Sequence, residues 1–170
     1  MSPNLNDPID PEIKELISKL SHGCIDKALF EEILTTLFLM ANEHKDLGDY
    51  KLINKTLKEL RASFNLFKPY RETRKVALFG SARLEKADPN YVLARDLSKA
   101  LVENGFLIIS GAGGGVMEAA NEGAGEGKSF GLNIKLPNEQ AANPFIRDSP
   151  NLLEFKYFFT RKLVFIKESH

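Results

Sequence analysis

The stretch FLIISGAGGGVMEAANEGAGE, residues 106–126, decides the reading of this chain. Phe106 to Ser110 is a strand-length apolar run that empties directly into Gly111-Ala112-Gly113-Gly114-Gly115, and Val116 to Glu126 then has a helical pattern. A strand that passes through glycines into a helix gathers unpaired backbone N–H groups and the positive end of the helix dipole at one point, an arrangement suited to holding a phosphate. Glycine serves there because it accepts positive φ and lets a ligand approach the backbone with no Cβ in the way. A bare strand-to-helix turn seldom needs so many glycines in succession.

Two familiar phosphate loops do not fit. A dinucleotide fingerprint G-x-G-x-x-G begun at Gly111 needs glycine where Val116 stands, so NAD is not expected. Gly127-Lys128-Ser129 copies the end of a P-loop, but Glu122 occupies the first glycine position. These residues also close a helix and open a strand, the reverse of the P-loop order.

Working outward, Val76-Ala77-Leu78-Phe79 is a first strand followed by Gly80-Ser81-Ala82-Arg83. If the first two strands are neighbours, this turn lies beside the glycine turn, where Ser81 can hydrogen-bond a phosphate or ribose and Arg83 can neutralise charge. Asp88 caps a helix opened by Pro89, with Leu93, Ala94, Leu97, Ala100 and Leu101 expected inward and a stop at Asn104-Gly105. Ser129 to Leu136 reads as a third strand, Leu152 to Phe158 as a fourth, and Phe159 to Glu168 as a helix. Alternating strands and helices specify an α/β fold with a doubly wound parallel sheet. Phe155, Tyr157, Phe158 and Phe159 are read as core, although such rings can also stack on a base.

Ahead of this unit the chain is helical. Asp10 and Pro11 open a helix carrying Ile13, Leu16, Ile17 and Leu20, closed by His22 and Gly23. A second helix runs from Asp26 to His44 with a wide apolar face. A third starts near Asp49, carries Ile53, Leu57, Leu60, Phe64 and Phe67 on one face, and ends at Pro69. This region, residues 1–72, is expected to serve packing, as core, oligomer contact or brace; residues 73–170 are expected to form the α/β unit. The charged connector around Arg71 to Lys75 separates them.

The 170 residues carry 23 Lys+Arg and 23 Asp+Glu, so no net charge draws the chain to nucleic acid or an anionic membrane. Cys24 is the single cysteine, which excludes an internal disulfide and fits a reducing compartment; a cytoplasmic location is expected. No apolar run approaches the roughly 18 to 20 residues of a membrane span. His22, His44 and His170 lack ligand spacing, so no metal is expected.

VALFGSAR (76–83), SGAGGGVMEAANEGA (110–124), GLNIKLPNEQ (131–140) and FFTRK (158–162) resemble the LONELY GUY family, whose members are often labelled lysine decarboxylase-like. The resemblance runs from Lys75 to His170, and the helical region resembles the extension of longer members. It implies a Rossmann-like fold and, in the enzymes, hydrolysis of the N-glycosidic bond of a nucleoside 5′-monophosphate, AMP or N6-modified AMP, to free base and ribose 5-phosphate. It also implies a homo-oligomer. No lysine has the context of a pyridoxal phosphate Schiff base, and no cofactor is expected.

An oxocarbenium-like ribose asks for an anionic group, an oriented water and a firm hold on the phosphate. By the resemblance, Arg161 is the catalytic arginine, with Lys162 beside it. Gly80, Ser81, Gly111, Gly113, Gly114 and Gly115 are expected to contact the nucleotide, and Glu118, less than a helical turn past the glycines, to position the ribose. The family's second signature, PGGxGTxxE, with its glutamate, has no match here, and Glu168 has no glycine loop before it. The chain is therefore expected to be an amino-terminal portion of a longer protein, marginal alone or completed by another polypeptide. Two other readings stand beside the hydrolase: a non-catalytic nucleotide-binding or sensor module, and an oligomerisation module built on the helices.

Overall fold

Asp10 and Asp88 each precede a proline and open a helix. The Asp10 carboxylate accepts from the N–H of Glu12 at 2.8 Å and that of Asp88 from the N–H of Asn90 at 2.8 Å. Pro11 and Pro89 occupy the first helical positions, where a missing N–H costs nothing. These contacts are seen in a computed structural model that describes residues 10–43, 46–135 and 141–170. The polar start of the chain, His44, and the end of the expected third strand at Leu136 with the rest of GLNIKLPNEQ lie outside the described residues.

The chain divides into two compact units, Met1–Lys51 and Leu52–His170. In the first, α1 (Pro11–Leu20) packs on α2 (Lys27–Glu43), and α3 (Leu47–Phe67) begins. Ser21 Oγ donates to Glu31 Oε1 at 3.0 Å, and this bond is the main reason the Glu31 carboxyl lies below its ordinary range. Tyr50 donates its hydroxyl to the Ala41 carbonyl at 2.9 Å. The apolar face expected on α2 contains no buried residue; Leu29 and Ile33 are about half exposed.

The second unit is built on four parallel strands in the order β1 (Lys75–Leu78), β2 (Leu107–Ser110), β3 (Ser129–Ile134) and β4 (Leu152–Phe155). Side chains alternate across a strand, so Ile108 faces one layer while Leu107 and Ile109 face the other. On the Ile108 side lie Ala120 and Ala124 of α5 (Val116–Ala124) and Leu101 and Val102 of α4 (Pro89–Glu103). On the opposite side Phe130, Leu132 and Phe155 meet Phe67 of α3 and Val164 and Phe165 of α6 (Phe158–Glu168). Helices on both faces of a parallel sheet make a Rossmann-like α/β fold; the described strands run in sequential order, with no reversal among them.

The last turns of α3 belong to this core. Phe67 is 1% exposed with its ring 4.6 Å from that of Phe130, and Glu59 Oε1 accepts from the Lys156 N–H at 2.7 Å in the turn between β4 and α6. Proline 69 falls in a short 3₁₀ turn, Lys68–Tyr70, that terminates the helix.

One expectation about a helix face is corrected. On α4 the buried residues are Tyr91, Ala94 and Ser98, while Leu93 and Leu97 are 66% and 46% exposed. The cause is close packing on α5: a Cβ at Gly123 would lie 1.9 Å from the Arg95 carbonyl oxygen, so the contact face is built from small residues rather than leucines. On α6, Val164 and Phe165 turn into the core, whereas Leu163 and Ile166 are exposed. Among the described residues no helix is long and apolar enough to cross a membrane.

Candidate functional site

β1 and β2 are parallel neighbours, so the turns that follow them emerge at the same end of the sheet. They are stitched together. The N–H of Val116, the first residue of α5, donates to the Ser81 carbonyl at 3.0 Å. A Cβ at Gly115, where φ is +62°, would lie 2.1 Å from that oxygen, and one at Gly80 would lie 2.5 Å from Val116 Cγ2. Gly80 and Gly115 thus allow one turn to lie against the other.

Under the glycine turn sits a buried polar network. Ser110 Oγ donates to Asn121 Oδ1 at 2.7 Å, and Asn121 Nδ2 donates to Ser129 Oγ at 2.9 Å. Asn143 Nδ2 donates to Asn121 Oδ1 at 2.9 Å and to the carbonyls of Ala112 and Gly113 at 3.1 and 3.0 Å. The Asn143 N–H also reaches the Ala112 carbonyl, at 2.8 Å. Ala112 is the one described non-glycine residue with positive φ, +65°, a conformation costing about 1–2 kcal/mol that these bonds hold in place.

Arg161, in the first turn of α6, lies across the carboxyl ends of β2 and β3. Its Nε donates to the Leu132 carbonyl at 2.6 Å and its Nη2 to the Gly111 carbonyl at 3.3 Å. Gly111 makes room for this: a Cβ there would sit 2.5 Å from Nη2 and from Met117 Sδ. Gly111, Gly113 and Gly114, with Ala82 and Arg83 from the first turn and Arg161 and Phe158 from α6, line a cavity of about 420 Å³. Among the described residues its charged lining is Arg83 and Arg161, with no carboxylate. Such a cavity favours an anion.

Other residues singled out from the sequence sit beside this cavity rather than on it. The Ser81 hydroxyl accepts from the Arg83 N–H at 3.2 Å within its own turn. Glu118 lies 3.6 Å from Lys86, a residue also 4.0 Å from Glu122, and Glu122 accepts from the Tyr91 hydroxyl at 2.6 Å. Burial and the Glu122 contact push the Tyr91 phenol well above its ordinary value. Lys162 lines a second, more apolar cavity of about 430 Å³ with Phe79, Phe158, Phe165 and Ile166, which shares Arg161 with the first. Of the aromatic residues read as core, Phe155 is buried, but Phe158 and Phe159 are more than half exposed. The described residues contain no group of His, Cys, Asp and Glu able to hold a metal ion.

Sequence reasoning passed over Asn143, and Met117 and Asn121 entered it only within the motif SGAGGGVMEAANEGA. Asn121 is 2% exposed and serves the network beneath the turn, not the cavity. The only signal near Asn143 is the Asn-Pro dipeptide it forms with Pro144, which marks a turn and says nothing of a partner thirty residues away.

Residues 73–146 match the SLOG cluster4 family, a span somewhat under half of the chain. The matched stretch holds both turns, the buried network and Asn143, and stops short of Arg161. The SLOG superfamily includes Rossmann-type proteins similar to the LONELY GUY family, and a nucleotide-related role in the broad sense goes with it. No curated protein matches the chain.

Proposed function

We propose that the cavity between the glycine turn and Arg161 binds a nucleoside 5′-monophosphate, and that the reaction it serves is hydrolysis of the N-glycosidic bond to free base and ribose 5-phosphate. The observation that carries this reading is the junction of two cationic side chains, Arg83 and Arg161, with the three glycines of one strand-to-helix turn around about 420 Å³. A phosphate seated there gains helix-terminal N–H groups and two guanidinium charges. Phe158, exposed at the rim, offers a face on which a base can stack.

In the reaction, water adds to C1′ as the bond to the base breaks: its oxygen becomes the C1′ hydroxyl, and the proton it gives up balances the one with which the base leaves. Arg161, held by two backbone carbonyls, fixes the phosphate and sugar relative to that water. Positive charge grows on the ribose in the transition state, and a carboxylate near C1′ would stabilise it. On this reading the nucleotide-binding domain begins at residue 73, with α3 from Leu52 onward packed on it as a brace.

A second reading, a nucleotide-binding module without turnover, is favoured by one specific observation. The carboxylate expected to serve the sugar, that of Glu118, faces Lys86 and is not part of the cavity lining. The test is chromatographic detection of adenine and ribose 5-phosphate after incubation with AMP. Equimolar release that is lost in Arg161→Ala supports the hydrolase, whereas saturable AMP binding without release supports the second reading.

A further inference from the structure

We infer that Asn143 is the positioning residue that turns the amides of Gly113 and Gly114 toward the cavity, setting the polarity of the anion site from outside it. The inference rests on the nucleotide-binding reading above and adds a residue to it.

The argument is one of peptide geometry. In a trans peptide the C=O and the following N–H lie in one plane and point in opposite directions. The Asn143 amide takes the carbonyls of Ala112 and Gly113, at 3.1 and 3.0 Å, and its backbone N–H takes the first of them again, at 2.8 Å. Those two carbonyls belong to the peptides whose N–H groups are those of Gly113 and Gly114. With both oxygens drawn down to Asn143, both N–H groups point the other way, on the side where Gly113 and Gly114 line the cavity. Neither N–H has an acceptor among the described residues.

Asn143 is itself fixed. It is 5% exposed, its Nδ2 also donates to Asn121 Oδ1, and its Oδ1 accepts from the Phe145 N–H at 3.1 Å. An asparagine is required because the task is to donate from the side chain to carbonyls while accepting at the other atom. An aspartate of the same shape would bring a negative oxygen against the two carbonyls and Asn121 Oδ1, and the loop carbonyls would turn away. Asn151, at the far end of the network, donates to the Ser129 carbonyl at 3.2 Å and touches neither loop carbonyl, so it is the control for a purely structural loss.

The experiment follows the Gly113 and Gly114 amide resonances of the ¹⁵N-labelled chain during titration with inorganic phosphate and with AMP, for the unsubstituted protein, Asn143→Asp, the milder Asn143→Ser and Asn151→Ala. Both amides are expected to move downfield on phosphate addition in the unsubstituted protein and in Asn151→Ala. Asn143→Asp is expected to raise the phosphate dissociation constant at least tenfold and to abolish the shared movement. Asn143→Ser is expected to fall between, and serves where the aspartate variant does not fold. Phosphate affinity and amide shifts unchanged in folded Asn143 variants overturn the inference alone. An unsubstituted protein whose amides ignore both phosphate and AMP overturns the nucleotide-binding reading and this inference with it.

Discussion

Arg161 Nη2 donates to the Gly111 carbonyl at 3.3 Å, joining the first turn of α6 to the start of the glycine turn. The contact exists only because residue 111 lacks a Cβ, which would stand 2.5 Å from that nitrogen. Gly111 thus serves the arginine as well as the cavity that it lines with Gly113 and Gly114, and Gly115 serves the neighbouring turn.

Gly111→Ala should therefore act on the site more than on the fold. The methyl meets the ends of two flexible side chains, Arg161 and Met117, which can move aside. Overpacking of this kind costs about 1–3 kcal/mol. Calorimetric titration with AMP should show affinity reduced at least tenfold, with a melting point only a few degrees lower; unchanged affinity would disconnect Gly111 from the site.

Gly115→Ala should damage the fold itself. Its Cβ would lie 2.1 Å from the Ser81 carbonyl oxygen, a backbone atom that no rotamer change can move, and its φ is +62°. Gly125, with φ +76° and nothing within 4 Å, isolates the conformational part. Chemical denaturation should show a loss of about 1–3 kcal/mol for Gly125→Ala, whose ψ of 177° belongs to a region kept for glycine, and a clearly larger one for Gly115→Ala, which adds the clash with backbone. Equal losses would mean that the two turns do not press on one another as described.

Much of this was legible in the sequence where the information is local. The strand, glycine turn and helix of residues 106–126, and the aspartate–proline starts at residues 10–11 and 88–89, are each specified by neighbours in the chain, and the structure contains them. What stayed hidden depends on partners far away. Nothing within α4 reveals that Gly123 draws α5 so close that Ala94 and Ser98, not Leu93 and Leu97, form the contact face. Asn143 meets its carbonyl partners across about thirty residues, and the orientation of the Glu118 carboxylate depends on Lys86 in another loop. Helical spacing placed Glu118 near the glycine turn but could not give the direction of its charge.

Lys75 gives a prediction in pH. It is 1% exposed, donates to the Thr73 carbonyl at 2.9 Å, and burial lowers its amine below the ordinary 10.5, with Glu168 partly opposing the shift. Between the lowered folded value and 10.5 the unfolded chain binds the extra proton, so this group adds stability as pH rises through that window and costs stability below it. Relative to the unsubstituted protein, Lys75→Met should therefore fare best at low pH, and any advantage should shrink as the pH approaches 10.5. Denaturant midpoints across pH 7 to 10 check this; an advantage that grows with pH would reverse the sign argued here.

The exposed apolar side chains bear on assembly. Leu29 and Ile33 of α2 and Leu163 and Ile166 of α6 are all close to half exposed or more. The proposed homo-oligomer predicts concentration-dependent self-association in sedimentation velocity, weakened by charged residues at these positions. A monomer at every concentration tested would remove that part of the account.

The most direct test of the central claim is a calorimetric comparison of AMP with adenosine, on the unsubstituted chain and on Arg161→Ala. If the glycine turn and Arg161 together hold a 5′-phosphate, AMP binds at least tenfold more tightly than adenosine, and the substitution erases most of that difference while the protein stays folded. Equal affinities for the two ligands, or a phosphate preference that survives the loss of Arg161, would contradict the account.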